Sequence, residues 1–312
     1  MPAPLEYHQV HRLGRPGVWR PIVGVVALVL GLFALSPLLW QAAFAIWFAL
    51  TGQPVGEGLD RLLDVDSATP LTLTFVNLVL ATAIPLSILI NLALHGLSPG
   101  WLMSVARRIR WRFLVACFGL SVLALLATVV VSSFVPQGGG TELSGEANDF
   151  TSTTRDFLLV VLILTPLQAA GEEFAFRGYL MQAFGGVFGN RVVAVLLSSV
   201  LFALAHGLGQ DLPIFVDRLA FGLVAGALVI LTGGLEAGIA MHVLNNFLAF
   251  GLALAFTDMG SALNPTGGTW WSLPGTLTQS LVYLALATWL ARRTGLETTT
   301  TPAILERSRG PV

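Results

Sequence analysis

The sequence predicts an all-α fold, a polytopic bundle of about eight transmembrane helices, on three observations. Of its 312 residues, 55% are apolar and only 11% charged, whereas a soluble domain carries about 25% charged residues. So few charges cannot cover a water-facing surface, so the bilayer is the main solvent. Apolar runs close to the roughly 20 residues that a helix needs to cross a membrane recur along the whole chain. Arginine clusters and acidic loops alternate between those runs.

The expected spans are 21–50, 71–95, 113–135, 157–183, 191–209, 214–232, 235–257 and 274–291. Residues 1–20 are polar, with Arg12, Arg15 and Arg20, and read as a cytoplasmic segment. The apolar run after them, about 30 residues long, far exceeds a signal-peptide core, so it is read as a retained span. Pro37 is expected to kink or break it. Arg107, Arg108, Arg110 and Arg112 follow the second span, and Arg292 and Arg293 follow the last. Glu57, Asp60, Asp64 and Asp66 occupy one alternate loop, Glu142, Glu146, Asp149 and Asp156 the next, and Asp258 the last. By the positive-inside rule both termini are expected in the cytoplasm. The chain then divides into the segment 1–20, a transmembrane domain 21–291 with its motif-bearing core at 157–257, and a cytoplasmic tail 292–312 expected to be disordered. The glycine-rich loop 136–156 is expected to be flexible and external.

A net charge of −1 gives no reason to expect a nucleic-acid partner. All 16 basic residues are arginine, and the only cysteine, Cys117, excludes an internal disulfide and any multi-cysteine metal site.

Ionisable residues inside spans are expensive and usually functional. Glu172, Glu173, Arg177, His206 and His242 qualify. Asp217, Arg218 and Glu236 lie near expected span ends, where they read as interfacial charges. Residues four apart share a helix face, so Glu173 and Arg177 are expected to pair. Glu172 points about 100° away and is left without a helical partner. A carboxylate in that position suits general-base work. Phe202 and His206 are also four apart, so the ring can brace the imidazole. His242 and Asn246 share a face, and both can donate to an oxyanion. The set suits attack of water on a peptide carbonyl. No H-E-x-x-H pattern occurs, which disfavours a zinc protease of that helical type.

Glu172-Glu173-x-x-x-Arg177, Phe202-x-x-x-His206 and His242-x-x-x-Asn246 resemble the signature motifs of the CAAX-protease and bacteriocin-processing family. That family includes the type II CAAX prenyl endopeptidases and the lysostaphin-resistance-like proteins. The resemblance implies an all-helical intramembrane endopeptidase. It also implies that Glu172 and His206 activate water, that His242 and Asn246 stabilise the oxyanion, and that Glu173, Arg177 and Phe202 support them. Its implied substrate is a peptide or protein, prenylated or otherwise membrane-associated, and its implied location is a cell membrane, here a bacterial inner membrane. No cofactor is expected. The sequence around His206 and His242 offers few side chains to orient a metal-binding imidazole. Were zinc present, Glu172, His206 and His242 would be its ligands. A non-catalytic scaffold or immunity-type protein of the same family, or a transporter, are the rival readings. The expected span ends place Glu172 about 15 residues from the outer edge and His206 about three, a depth difference of roughly 18 Å. Sharing one water therefore requires a tilted, broken or misbounded helix.

Overall fold

The computed structural model describes residues 3–134, 146–265 and 268–301. It is a helical bundle, with one two-stranded pairing among these residues. The helices are α1 (Trp19–Leu30), α2 (Ser36–Leu50), α3 (Val55–Leu63), α4 (Pro70–Ala81), α5 (Ala83–Ile90), α6 (Gly100–Met103) and α7 (Trp111–Ser132). They continue with α8 (Ser152–Glu172), α9 (Met181–Phe188), α10 (Arg191–Ala205), α11 (Leu212–Thr232), α12 (Glu236–Phe256), α13 (Met259–Leu263) and α14 (Leu273–Arg293).

Among the described residues, six helical stretches are long and apolar enough to cross a membrane: Trp19–Leu50, Pro70–His95, Trp111–Val131, Ser152–Phe188, Leu212–Thr232 and Glu236–Phe256. Two of the eight expected spans differ from these. The fifth is α10, apolar but only 15 residues long, or about 22 Å against a hydrocarbon core of about 30 Å. The eighth, α14, is 21 residues long, but Thr276, Thr278, Gln279 and Ser280 make its first half polar. Large apolar side chains such as Ile22, Leu30, Phe33, Leu38, Val115 and Leu126 are exposed on α1, α2, α7 and the turn between α1 and α2. Such a surface is at home against lipid tails. The expected break near Pro37 is a π-helical turn, Gly31–Leu35, placed immediately before α2.

Hydrogen bonds between loops sort them into two sets. In the first, Arg12 Nε donates to the Gly186 carbonyl at 3.0 Å, Val105 N to Gly233 O and Leu235 N to Met103 O, both at 2.9 Å. Arg110 Nη1 donates to Glu297 O at 3.0 Å. In the second, Asn264 Nδ2 donates to Asp66 Oδ1 at 2.9 Å, Asn148 N to Ala255 O at 2.7 Å and Gly268 N to Asp211 Oδ2 at 3.2 Å. The arginine clusters belong to the first set, and Asp66, Asp149, Asp211 and Asp258 to the second.

The described residues toward both ends of the chain carry regular structure. Tyr7–Leu13 forms a 3-10 helix whose Tyr7, His8, Val10 and His11 are buried, and the Tyr7 hydroxyl donates to the Leu102 carbonyl. The His11 ring stacks on His95 with centroids 3.8 Å apart, and burial among these apolar neighbours and the nearby imidazole hold it well below the ordinary histidine pKa. The tail expected to be disordered begins instead with the closing turn of α14, and its strand β2 (Thr299–Thr300) pairs antiparallel with β1 (Leu5–Glu6). Residues 302–312, and the glycine-rich part of the expected flexible loop, 135–145, lie outside the described residues. The rest of that loop includes Thr151, whose hydroxyl caps α8.

Candidate active site

Glu172 ends α8, and the helix continues without a break through a π-helical stretch, Glu173–Leu180, into α9. A π turn widens the helix and re-aims side chains, and such turns concentrate at functional sites. Two glycines let neighbouring backbones close on this stretch. A Cβ at Gly171 would lie 2.4 Å from the Leu80 carbonyl oxygen, and one at Gly238 would lie 2.7 Å from Glu173 Oε2.

The expected Glu173–Arg177 pair is present, with Nη1 to Oε1 at 3.0 Å and both side chains fully buried. Beneath it, the Phe202 ring centroid lies 4.0 Å from the Arg177 guanidinium carbon, a cation–π contact that offsets part of the cost of burying the charge. Glu173 Oε1 also accepts from His242 Nδ1 at 2.9 Å. The ring acts here as the donor, because a carboxylate held by Arg177 only accepts.

Two expected pairings are corrected. Glu172 is not left alone: Gln168 Nε2 donates to its Oε1 at 2.9 Å, and its Oε2 stands 3.3 Å from His242 Nε2. His242 and Asn246 do not act as an isolated couple, because the ring is held by Glu173 and Asn246 Nδ2 donates to Gln168 Oε1 at 2.9 Å. Gln168 therefore bridges the carboxylate and the amide. Its place four residues before Glu172 was a readable signal. Glu236, read as an interfacial charge, is fully buried and takes a two-pronged bond from Arg110, with Nε to Oε1 at 2.8 Å and Nη2 to Oε2 at 2.6 Å. It pins the start of α12 to the segment before α7.

The depth difference between Glu172 and His206 disappears. Helix α9 runs on to Phe188, five residues past the expected end, and α10 stops at Ala205, four residues short of it. Glu172 lies 16 positions before Phe188, and His206 lies 15 after Arg191. The two arms of this hairpin therefore lift both residues to nearly the same height. His206 caps α10, and its Nδ1 donates to the Phe202 carbonyl at 2.8 Å. That bond leaves Nε2 of the neutral ring with its lone pair free. Phe202 packs edge-on against the His206 ring at 4.6 Å, and Phe221 edge-on against His242 at 5.2 Å.

Glu172, His206, His242 and Asn246 all line one cavity of about 440 Å³, together with Gln168, Phe202 and Arg218. Its rim includes Gly207, Asp211 and Asn264, from the acidic set of loops. The donors Glu172, His206 and His242 are of the kind zinc takes, and both imidazoles do have acceptors for Nδ1, contrary to the sequence-based objection. Among the described residues, however, no group of three His, Cys, Asp or Glu converges closely enough to hold a metal ion.

The site is thus a set of acid, imidazole and amide groups around one internal cavity of a membrane helical bundle. Residues 154–248, which contain Gln168, Glu172, His206, His242 and Asn246, match the Rce1-like family, described as type II CAAX prenyl endopeptidase Rce1-like. That segment is about a third of the chain, and over it the chain is similar to this family. It is 28% identical over 149 residues to Bacillus subtilis YyaK, covering 44% of this chain and 49% of that protein. It is 29% identical over 133 residues to the membrane-embedded CAAX protease MroQ of Staphylococcus aureus, covering 40% of this chain and 51% of that protein. The chain spans about half the length of the curated relatives it matches. No solved structure matches it significantly.

Proposed function

We propose that this protein is an intramembrane endopeptidase that hydrolyses a peptide bond with water activated by Glu172 and His206. The observation that carries the reading is the meeting of Glu172, His206, His242 and Asn246 in one cavity, within the segment that matches the Rce1-like family. Glu172 takes the proton as water attacks the carbonyl, and the free Nε2 of His206 shares in that transfer. As negative charge develops on the carbonyl oxygen, Asn246 offers its second amide hydrogen, the first being given to Gln168. His242, which lines the same cavity, is the second oxyanion partner in this reading. Glu172 then returns the proton to the departing amine. No step needs a metal.

In this reading the protein is a multi-pass component of a bacterial cell membrane, with eight spans and both ends in the cytoplasm. Its substrate is a membrane-associated peptide or protein, prenylated or not. The test is cleavage of a peptide library by the detergent-purified protein, with Glu172→Gln as the control. The variant is expected to fold and to lose about 10²–10⁴-fold in turnover, as removal of a general base does. Full activity in Glu172→Gln, or no cleavage by the wild type, would remove the reading.

A further inference from the structure

Arg218 on α11 lines the same cavity and has no part in the chemistry proposed above. A guanidinium inside a span is costly, and such residues are functional by default. Among the described residues, two other arginines drawn into the bundle are neutralised, Arg177 by Glu173 and Arg110 by Glu236, while Arg218 itself is partly buried. Among the described residues Arg218 makes no ion pair within 4 Å, and its Nε is buried without a hydrogen-bond acceptor. Asp217, one position earlier, hydrogen-bonds Thr276 and also feels the Arg218 charge, but forms no ion pair with it within 4 Å. A second donor is likewise unmatched in the cavity wall: the Nδ2 of Asn77, a residue only 1% exposed.

We infer that Arg218, with Asn77, forms a subsite for a carboxylate of the substrate. The inference rests on the endopeptidase reading and names the substrate feature that this site selects. The planar fork of arginine matches both oxygens of a carboxylate, and a substrate anion in this cavity supplies the direct ion pair that the guanidinium lacks. Two sources share this chemistry, the α-carboxylate at a chain end and the side chain of an Asp or Glu near the scissile bond. Asp211 lines the same cavity, and its Oδ2 accepts from Gly268 N at 3.2 Å.

The test compares matched peptides that the wild type cleaves. One pair differs by a free or amidated C-terminus, the other by Glu or Gln beside the cut. One of the carboxylates is expected to lower KM by about 10–100-fold, the range for a hydrogen bond to a charged group, and the pair that shows the effect identifies the source. Arg218→Gln is expected to erase that preference with little change in kcat on the neutral peptide, and Arg218→Lys to restore part of it. A wild type that cleaves peptides but is indifferent to both carboxylates would overturn the inference while leaving the endopeptidase reading intact. That result needs no variant, so it holds even if Arg218→Gln fails to fold. A wild type that cleaves nothing would remove both.

Discussion

Glu173→Gln separates holding the site from doing its chemistry. The substitution keeps the shape of the side chain and removes its charge. Arg177, fully buried beside it, then keeps its charge with no counter-ion, and breaking a buried pair in this way costs about 3–5 kcal/mol. The new amide oxygen still accepts one hydrogen bond, from Arg177 or from His242 but hardly from both, returning about 1 kcal/mol. The net loss is therefore about 2–4 kcal/mol. The His242 ring is also loosened, because the acceptor at 2.9 Å that fixes its Nδ1 is shared or lost. Denaturant titration in mixed micelles measures the first effect, and cleavage at a temperature where the variant remains folded measures the second. The double variant Glu173→Gln, Arg177→Gln should recover part of the stability without recovering turnover. Glu173→Gln with wild-type stability and abolished turnover would refute the reasoning, and would hand the base role to Glu173.

Three further outcomes are expected. Gln168→Leu removes two bonds of 2.9 Å, to Glu172 and from Asn246. It should lower kcat by roughly thirtyfold, at about 1 kcal/mol for each of the two bonds lost, with KM nearly unchanged; a rise in KM alone would place Gln168 in substrate binding instead. Elemental analysis of active, purified protein should find no stoichiometric metal, and a strong chelator should leave cleavage intact. One zinc per chain, with activity lost on its removal and restored on its return, would assign Glu172, His206 and His242 as ligands. For topology, single cysteines replacing Arg108 and Asp64 in a Cys117→Ala background should be labelled from opposite faces, Asp64 from outside. Arg108 is the better probe because it is exposed, whereas Arg110 is tied to Glu236.

The membrane class of the fold was legible because apolar runs and arginine placement are one-dimensional signals. Glu173–Arg177 and Phe202–His206 were legible for a related reason, since four-residue spacing survives the local widening of the helix. The partners of Glu172 and His242 were not. They come from Gln168, a lone polar residue in an apolar run, and from contacts between α8 and α12 that no local pattern encodes. The common height of Glu172 and His206 was hidden because it depends on where the α9–α10 hairpin turns. Hydropathy blurs that boundary: Gly185 and Gly186 look like a helix end yet lie within α9. Glu236 was misread because a charge beside a glycine pair, Gly233 and Gly234, looks like a wet loop. Its partner Arg110 lies 126 positions away in the chain.

The pairing of Leu5–Glu6 with Thr299–Thr300 has an arithmetical consequence for topology. Backbone hydrogen bonds cannot form through a hydrocarbon layer, so the two partners share one aqueous compartment. The number of crossings between residue 6 and residue 299 must then be even. Seven crossings are ruled out whichever way the protein is inserted, and α10 and α14 count together or not at all. Locating either strand in the cell therefore locates the other, and one reporter beside β1 or β2 fixes the orientation of both.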